Sequence, residues 1–145
     1  MKVKEVMTTK LTVLSPDNTV MDVAKIMQAH NIGAIPVCSE DRIVGIVTDR
    51  DIVVRNIANN GDPATTKVKD MMSPDVVTAT PEMTGDEAAR IMAHYKIRRL
   101  PVVDGDKLVG IVAIGDLATT RYLNDEAGQA LGEISSPSRP MNMMQ

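Results

Sequence analysis

The pattern of apolar positions predicts two amphipathic helices. Each predicted helix carries apolar residues at i, i+3, i+4 and i+7, a spacing that places them on one face. The two sets are Val20, Val23, Ala24 and Met27, and Ala88, Ile91, Met92 and Tyr95. Thr84 and Glu87 have the spacing of a capping box at the start of the second helix. Thr19 and Asp22 form a weaker version of the same pattern at the start of the first.

Short β-branched segments after each helix predict a pair of strands. Residues 34–38 and 43–47 follow the first helix, and residues 100–104 and 108–112 follow the second. Turn-forming residues separate the two strands of each pair, with an Asp-Gly signal in the second. An extended stretch precedes each helix because it ends before a proline, where α conformation is disfavoured. A short helix closes each pattern, so the predicted order is β-α-β-β-α, an α/β layer fold.

The whole pattern is written twice, with an offset of 65 positions. The copies starting at Val3 and Val68 overlay without a gap, and about 17 of 50 aligned positions are identical. We therefore predict a first motif over 1–60, a linker over 61–67, a second motif over 68–125 and a flexible tail over 126–145. A unit of roughly 60 residues is marginal alone, so the copies are expected to pack as a pseudo-twofold pair.

Composition narrows the class of protein. Apolar residues make up 43% of the chain and charged residues 24%, which is ordinary globular usage. The net charge of −3 and the two Tyr, with no Trp or Phe, argue against a nucleic-acid partner. No apolar run is long enough for a membrane helix, and Cys38 is the single cysteine, so we expect a cytoplasmic protein. The sequence shows no pattern of a nucleophile–base pair, a carboxylate dyad or a metal cluster. We therefore expect that the protein neither catalyses a reaction nor binds a metal.

One segment differs between the copies at its centre. The first copy has GIVTDRD over 45–51, and the second has GIVAIGD over 110–116. Asp51 and Asp116 are retained at the start of the closing helix, where a carboxylate can accept hydrogen bonds from a ligand. Thr48 adds a hydroxyl to the first copy, whereas Ala113 adds none to the second. Helix capping is the competing interpretation of Thr48 and Asp51, because Thr and Asp cap helices routinely.

These segments make the chain resemble the family of CBS-domain pairs. The resemblance rests on the doubled frame, on IGAIPV and IRRLPV, and above all on GIVTDRD, and it covers about residues 1–125. The first copy is particularly similar to short stand-alone bacterial two-CBS proteins, including those of the hypoxic- or stress-response type. The resemblance implies two β-α-β-β-α motifs with pseudo-twofold symmetry, homodimerisation, and regulation of another protein without catalysis. It also implies an adenine nucleotide ligand (AMP, ADP or ATP, with NAD or S-adenosylmethionine as alternatives) and no required cofactor.

The resemblance further implies that each binding cleft is shared between the copies. One cleft would combine Thr48 and Asp51 with the strand start of the second copy. The other would combine Asp116 with the strand start of the first copy. The strand residues are Lys96, Ile97, Arg98, Leu100 and Pro101 for the first cleft, and Ile32, Gly33, Ala34 and Pro36 for the second. Arg98 or Arg99 would reach phosphate, although an exposed edge pair is the simpler interpretation of these arginines.

Three functions follow from these features. The first is a sensor whose packing responds to a bound adenine nucleotide. The second is a homodimeric interaction scaffold with vestigial clefts, which the loss of the hydroxyl at Ala113 favours. The third is an enzyme, which no motif supports.

Overall fold

A computed structural model describes residues 1–119. The predicted tail and the end of the last predicted helix lie outside these residues. The helices are α1 (Val20–His30), α2 (Asp49–Asp51, continued by π-helical turns over Ile52–Ile57), α3 (Gly85–Tyr95) and α4 (Ile114–Ala118). The strands are β1 (Ala34–Ser39), β2 (Arg42–Thr48), β3 (Arg99–Asp104) and β4 (Lys107–Ala113). The α/β class and the repeated element order are confirmed, with one change to the first strand.

The first predicted strand of each copy is a single bridging residue. Leu14 pairs in parallel with Val37, where its N–H donates to the Pro36 carbonyl and its carbonyl accepts from Cys38. In the second copy Ala79 pairs in parallel with Val102. The first chain segment turns immediately afterwards, because Asn18 N–H donates to the Ser15 carbonyl at 3.1 Å. The predicted end of the extended segment before the proline is therefore confirmed, and its strand pairing is limited to one residue.

Strands β1 and β2 form an antiparallel hairpin. Its register runs from Ala34 opposite Thr48 to Ser39 opposite Arg42, with an irregularity after Val37. Strands β3 and β4 are hydrogen-bonded neighbours in the same way. At the other edge, β2 pairs antiparallel with the start of β4 through Arg42 and Lys107. The open end of the first hairpin is therefore the end at which Thr48 leads into α2.

The two long helices begin as the sequence predicted, although their caps differ. Thr19 accepts a hydrogen bond from Asp22 N–H, and the Asp22 carboxylate accepts from Thr19 N–H, so the complete capping box lies on α1. On α3 the Thr84 hydroxyl accepts from Glu87 N–H, while the Glu87 carboxylate contacts that hydroxyl at 3.1 Å. The weaker pattern in the sequence thus gives the fuller box.

The predicted apolar face of α3 is only partly buried. Ala88 and Met92 are buried and Ile91 is half-buried, whereas Tyr95 is 54% exposed. Ala89 and Ala93 complete the buried face instead. Tyr95 is the last residue of the helix, and the next residue leaves it in the left-handed conformation, so the chain turns away at this point.

The described chain forms two compact units that do not coincide with the two sequence copies. The first-copy unit comprises Lys10–Val77 and Gly105–Leu108, and the second-copy unit comprises Met1–Thr9, Thr78–Asp104 and the chain from Val109. Each unit therefore contains the short leader of the other copy. The leaders are 3₁₀ turns at Val3–Glu5 and Val68–Asp70.

The first leader is fastened to the second-copy unit by burial, backbone bonds and charge. Val3 is fully buried, and its N–H donates to the Met83 carbonyl at 2.8 Å. Lys2 and Lys4 place their Nζ atoms 2.5 and 2.8 Å from the carboxylate of Glu82. Hydrogen bonds from these two lysines, reinforced by their charge, lower the pKa of Glu82 to about 2.

The second leader repeats this arrangement in the first-copy unit. Val68 is fully buried, and its N–H donates to the Asn18 carbonyl at 2.8 Å. Lys67 and Lys69 lie 3.9 and 3.4 Å from Oδ1 of Asp17. Every partner is displaced by the repeat offset of 65, so the exchange of leaders is a property of the duplicated sequence.

Each unit is centred on aliphatic residues from its helix, its strands and the exchanged leader. In the first-copy unit the core cluster is Leu14, Val20, Val23, Met27, Ile35, Val37, Val47, Val68 and Met71. In the second-copy unit the fully buried large side chains are Val3, Met92, Leu100, Val102 and Leu117. Burying one such side chain contributes roughly 1.5–3 kcal/mol, so the leader valines are substantial parts of both cores.

Candidate functional site

The turn from β2 into α2 holds Thr48 and Asp51 against each other. The Thr48 hydroxyl accepts a hydrogen bond from Asp51 N–H at 3.1 Å. In return, Thr48 N–H donates to Oδ2 of Asp51 at 2.9 Å. This is a capping box, so the competing interpretation of these two residues is correct as a description of their contacts. The box also fixes the direction of the carboxylate, which any ligand role would require.

The second carboxylate oxygen of Asp51 faces a cation. Nε of Arg55, one helical turn further on, lies 3.6 Å from Oδ1. The Asp51 side chain is 14% exposed and that of Arg55 is 49% exposed. The carboxylate is therefore largely covered, and part of its remaining surface is shared with the guanidinium.

The equivalent turn of the second copy retains only half of this arrangement. Ala113 N–H donates to Oδ2 of Asp116 at 3.0 Å, as Thr48 does to Asp51. The methyl side chain of Ala113 has no oxygen, so it cannot accept from the Asp116 amide. The bond from the residue-113 amide to the carboxylate is therefore kept in the second copy, and the side-chain cap is not.

We expect exchanging the two capping residues to have opposite effects on stability. Thr48→Ala removes a side-chain acceptor from the start of α2 and should lower the free energy of unfolding by about 1 kcal/mol. Ala113→Thr supplies the missing acceptor and should raise it by a similar amount. Urea unfolding of each variant measures both changes. Changes of the same sign in the two variants would contradict the capping assignment.

The structure brings the start of β1 next to the Thr48 turn. Ala34 lies opposite Thr48 in the hairpin, and the Gly33 carbonyl accepts from Asp49 N–H at 2.9 Å. The second copy does the same, because the Arg98 carbonyl accepts from Ile114 N–H at 2.8 Å. Each strand start is therefore adjacent to the helix turn of its own copy. The shared composition of the clefts, with residues from both copies, stays a prediction.

The remaining candidate residues divide into exposed and buried groups. Gly33, Lys96, Arg98 and Arg99 are exposed, and Ile32, Ala34 and Ile97 are half-buried. Pro36, Leu100 and Pro101 are buried, and Leu100 has no exposed surface. Lys96 is also the C-cap of α3, with φ of 57°. The exposed cations are thus at the start of β3, while the side chain of Leu100 belongs to a core.

The sequence reasoning did not single out Arg55. Its spacing of four residues from Asp51 is a recognisable signal for a pair on one helical face. Val53, Val54 and Ile57 surround Arg55 in the sequence, and a short apolar run of this kind is typical of a buried segment. In the structure Val53, Val54 and Ile57 are exposed, and Asn56 is the buried residue of this segment.

Within residues 1–119, no three or more His, Cys, Asp or Glu side chains are grouped so that they could hold a metal ion. Across the same residues, no helix has the length and apolar character needed to cross a membrane.

Curated relatives match nearly the whole chain. The CBS domain-containing protein YhcV of Bacillus subtilis is 45% identical over 133 residues, which is 92% of this chain and 94% of the relative. Hypoxic response protein 1 of Mycobacterium tuberculosis is 32% identical over 136 residues, with the same two coverages. Both similarities extend over both copies of the repeat.

Solved structures show the same fold. A crystal structure of Hypoxic Response Protein I with two coordinated zinc ions has a TM-score of 0.75 and 31% identity, and covers 81% of this chain and 97% of that one. The CBS domain pair of MJ0100, in complex with 5′-methylthioadenosine and S-adenosyl-L-methionine, has a TM-score of 0.70 and 31% identity over 81% and 97%. CBSX2 in complex with AMP has a TM-score of 0.70 and 29% identity over 79% and 91%.

The family model described as CBS domain matches the chain twice, at residues 3–56 and 68–121. These two segments start at the two exchanged leaders and each contains one strand-to-helix turn. The match to both copies, together with the relatives that align over nearly the full length, shows that this chain belongs to the CBS domain family and carries a pair of CBS domains.

Proposed function

We propose that the protein is a non-catalytic regulatory module that binds an adenine nucleotide at its strand-to-helix turns. The observation that carries this proposal is the Asp51 carboxylate, held in a fixed direction by the amide of Thr48. Two structural neighbours are complexes with adenine-containing compounds, one with AMP and one with 5′-methylthioadenosine and S-adenosyl-L-methionine. AMP, ADP and ATP are the candidate ligands, with NAD and S-adenosylmethionine as alternatives.

The carboxylate of Asp51 meets the needs of a ribose. An ionised carboxylate accepts hydrogen bonds from two hydroxyls, and such charge-assisted bonds are stronger than neutral ones. Oδ2 is oriented by the Thr48 amide, and Oδ1 lies 3.6 Å from Arg55, beyond ordinary hydrogen-bond length. Oδ1 therefore retains capacity to accept from a diol.

Two exposed cations that could contact phosphate lie at the start of β3. Arg98 and Arg99 are both exposed at the start of β3, and an arginine side chain can bind phosphate through two hydrogen bonds. The first copy has Gly33 and Ala34 at the matching positions. Because Thr48 has a hydroxyl that could contact phosphate and Ala113 has none, we expect the Thr48 turn to bind more tightly than the Ala113 turn.

Calorimetric titration tests this proposal directly. Protein stripped of co-purified nucleotide is titrated with AMP, ADP, ATP, NAD and S-adenosylmethionine. At least one should bind, and Asp51→Asn should weaken that binding by about tenfold, because a charge-assisted hydrogen bond becomes a neutral one. Asparagine keeps an oxygen for the Thr48 amide, so the turn itself should persist.

Asp41→Asn is the matched control for this substitution. Asp41 lies in the turn at the opposite end of the β1–β2 hairpin from Thr48, and its φ of 69° suits asparagine. The control should bind like the wild type. No binding at millimolar ligand would refute the proposal. It would favour a homodimeric scaffold that acts through an unidentified protein partner.

A further inference from the structure

Arg55 connects the candidate site to the exchanged leader of the first-copy unit. Its Nε lies 3.6 Å from Oδ1 of Asp51, and its Nη1 lies 3.5 and 3.4 Å from the carbonyl oxygens of Met71 and Met72. These distances exceed the usual limit of about 3.2 Å for a strong hydrogen bond. The half-exposed guanidinium is therefore held loosely between a carboxylate and two backbone carbonyls.

The segment that follows the second leader, from Met71 to Ser73, contacts both Arg55 and β2. Ser73 N–H donates to the Ile46 carbonyl, and Ile46 N–H donates to the Ser73 carbonyl, each at 3.0 Å. The Met72 side chain packs on Gly45, since a Cβ at that glycine would come within 2.5 Å of the sulfur. A movement of the Arg55 side chain would therefore alter its contacts with a segment that is hydrogen-bonded to β2, the strand that leads into Thr48.

We propose that Arg55 gates the Thr48 turn. It neutralises Asp51 when no diol is bound, and it moves off the carboxylate when a diol takes Oδ1. The motion would withdraw Nη1 from Met71 and Met72 and loosen the end of the second leader. This inference rests on the proposed function, because it assumes that Asp51 receives a diol.

The physical reason is competition for a limited surface. Asp51 is 14% exposed and one of its oxygens already accepts from Thr48 N–H, so a diol and the guanidinium share the other oxygen. A ligand shifts such an equilibrium only by its differential affinity for the two arrangements. In the sequence Thr120 stands four residues after Asp116, where the first copy has Arg55, so the gate belongs to the first copy alone.

Adenosine separates gating from phosphate contact, because it carries the diol and no phosphate. Arg55→Gln should bind adenosine about two- to fivefold more tightly than the wild type, the range expected from releasing a partly exposed ion pair. Arg55→Lys should restore most of the wild-type affinity. Arg50→Gln is the matched control, since Arg50 is an exposed arginine of α2, and it should leave the affinity unchanged.

Hydrogen exchange at the amides of Met72 and Ser73 gives a second measurement. Adenosine should speed their exchange in the wild type, and Arg55→Gln should show faster exchange without adenosine. Unchanged adenosine affinity in Arg55→Gln would overturn the gate, as would weaker AMP binding with unchanged adenosine binding, which would make Arg55 a phosphate contact. If the wild type bound neither adenosine nor any ligand of the calorimetric series, the proposed function would fail and the gate with it, whereas wild-type adenosine binding that is unaffected by Arg55→Gln rejects the gate alone.

Discussion

Replacing Val3 with aspartate should destabilise the second-copy unit, although Val3 stands at the start of the first copy. Val3 has no exposed surface, and its N–H is bonded to Met83. A carboxylate there would be buried without a partner, so we expect the free energy of unfolding to fall by more than about 3 kcal/mol. Hydrogen exchange should show the loss of protection first in residues 78–104 and 109–119.

The repeat supplies the matched control, since Val68 occupies the same position in the other leader. Val68→Asp should remove protection first from residues 10–77, the reverse of the Val3 result. If either aspartate variant fails to fold, Val3→Ala and Val68→Ala give the same contrast at about 2 kcal/mol each, from two lost carbon atoms and the cavity they leave. Loss of protection in the variant's own sequence copy would contradict the exchange of leaders.

Replacing Gly45 with valine should cost close to 3 kcal/mol, near the top of the range for overpacked cores. A Cβ at this position would meet Met72 at 2.5 Å from Sδ and 2.9 Å from Cγ. The backbone oxygen of Ser73 would lie 3.0 Å away, and it cannot yield as a flexible side chain does. Glycine is therefore required here by the close approach of the leader. Thermal or urea unfolding measures the loss.

A second substitution separates the two causes of this strain. Met72→Ala removes the sulfur, so adding it to Gly45→Val should recover part of the stability, and the two changes should not be additive. The contact with the Ser73 oxygen would keep the recovery incomplete. Gly110→Val should behave alike, because its Cβ would come within 2.5 Å of the Met7 sulfur and 3.1 Å of the Thr8 oxygen. Additive effects at Gly45 and Met72 would contradict this packing.

Local patterns predicted the elements well because their causes are local. The spacing of Val20, Val23 and Met27 forms a helix face, and the prolines end the extended segments that precede the helices. Periodicity alone did not specify that Tyr95, the last residue of α3, is exposed. It also did not specify how far the first strands extend, because pairing partners decide that length.

The sequence predicted the contact between Thr48 and Asp51, but the set of residues that line the candidate site stays a prediction. The spacing of Thr48 and Asp51 is enough to form a capping box, and the structure has that box. The role of Arg55 depends on where its guanidinium lies relative to Met71 and Met72, which no local spacing specifies. The adjacency of Ala34 to Thr48 depends on hairpin register, which the apolar pattern constrained only loosely.

The sequence by itself determined that the chain is duplicated, which segments form helices and strands, and that the two turns differ by a hydroxyl. The tertiary structure alone decided which leader covers which core. Positions 3 and 68 are both valine in nearly the same local sequence, so either leader could supply the apolar side chain that either core buries. The backbone path and the partners at Met83 and Asn18 select between them, and these are contacts over long sequence separations that only the folded chain makes.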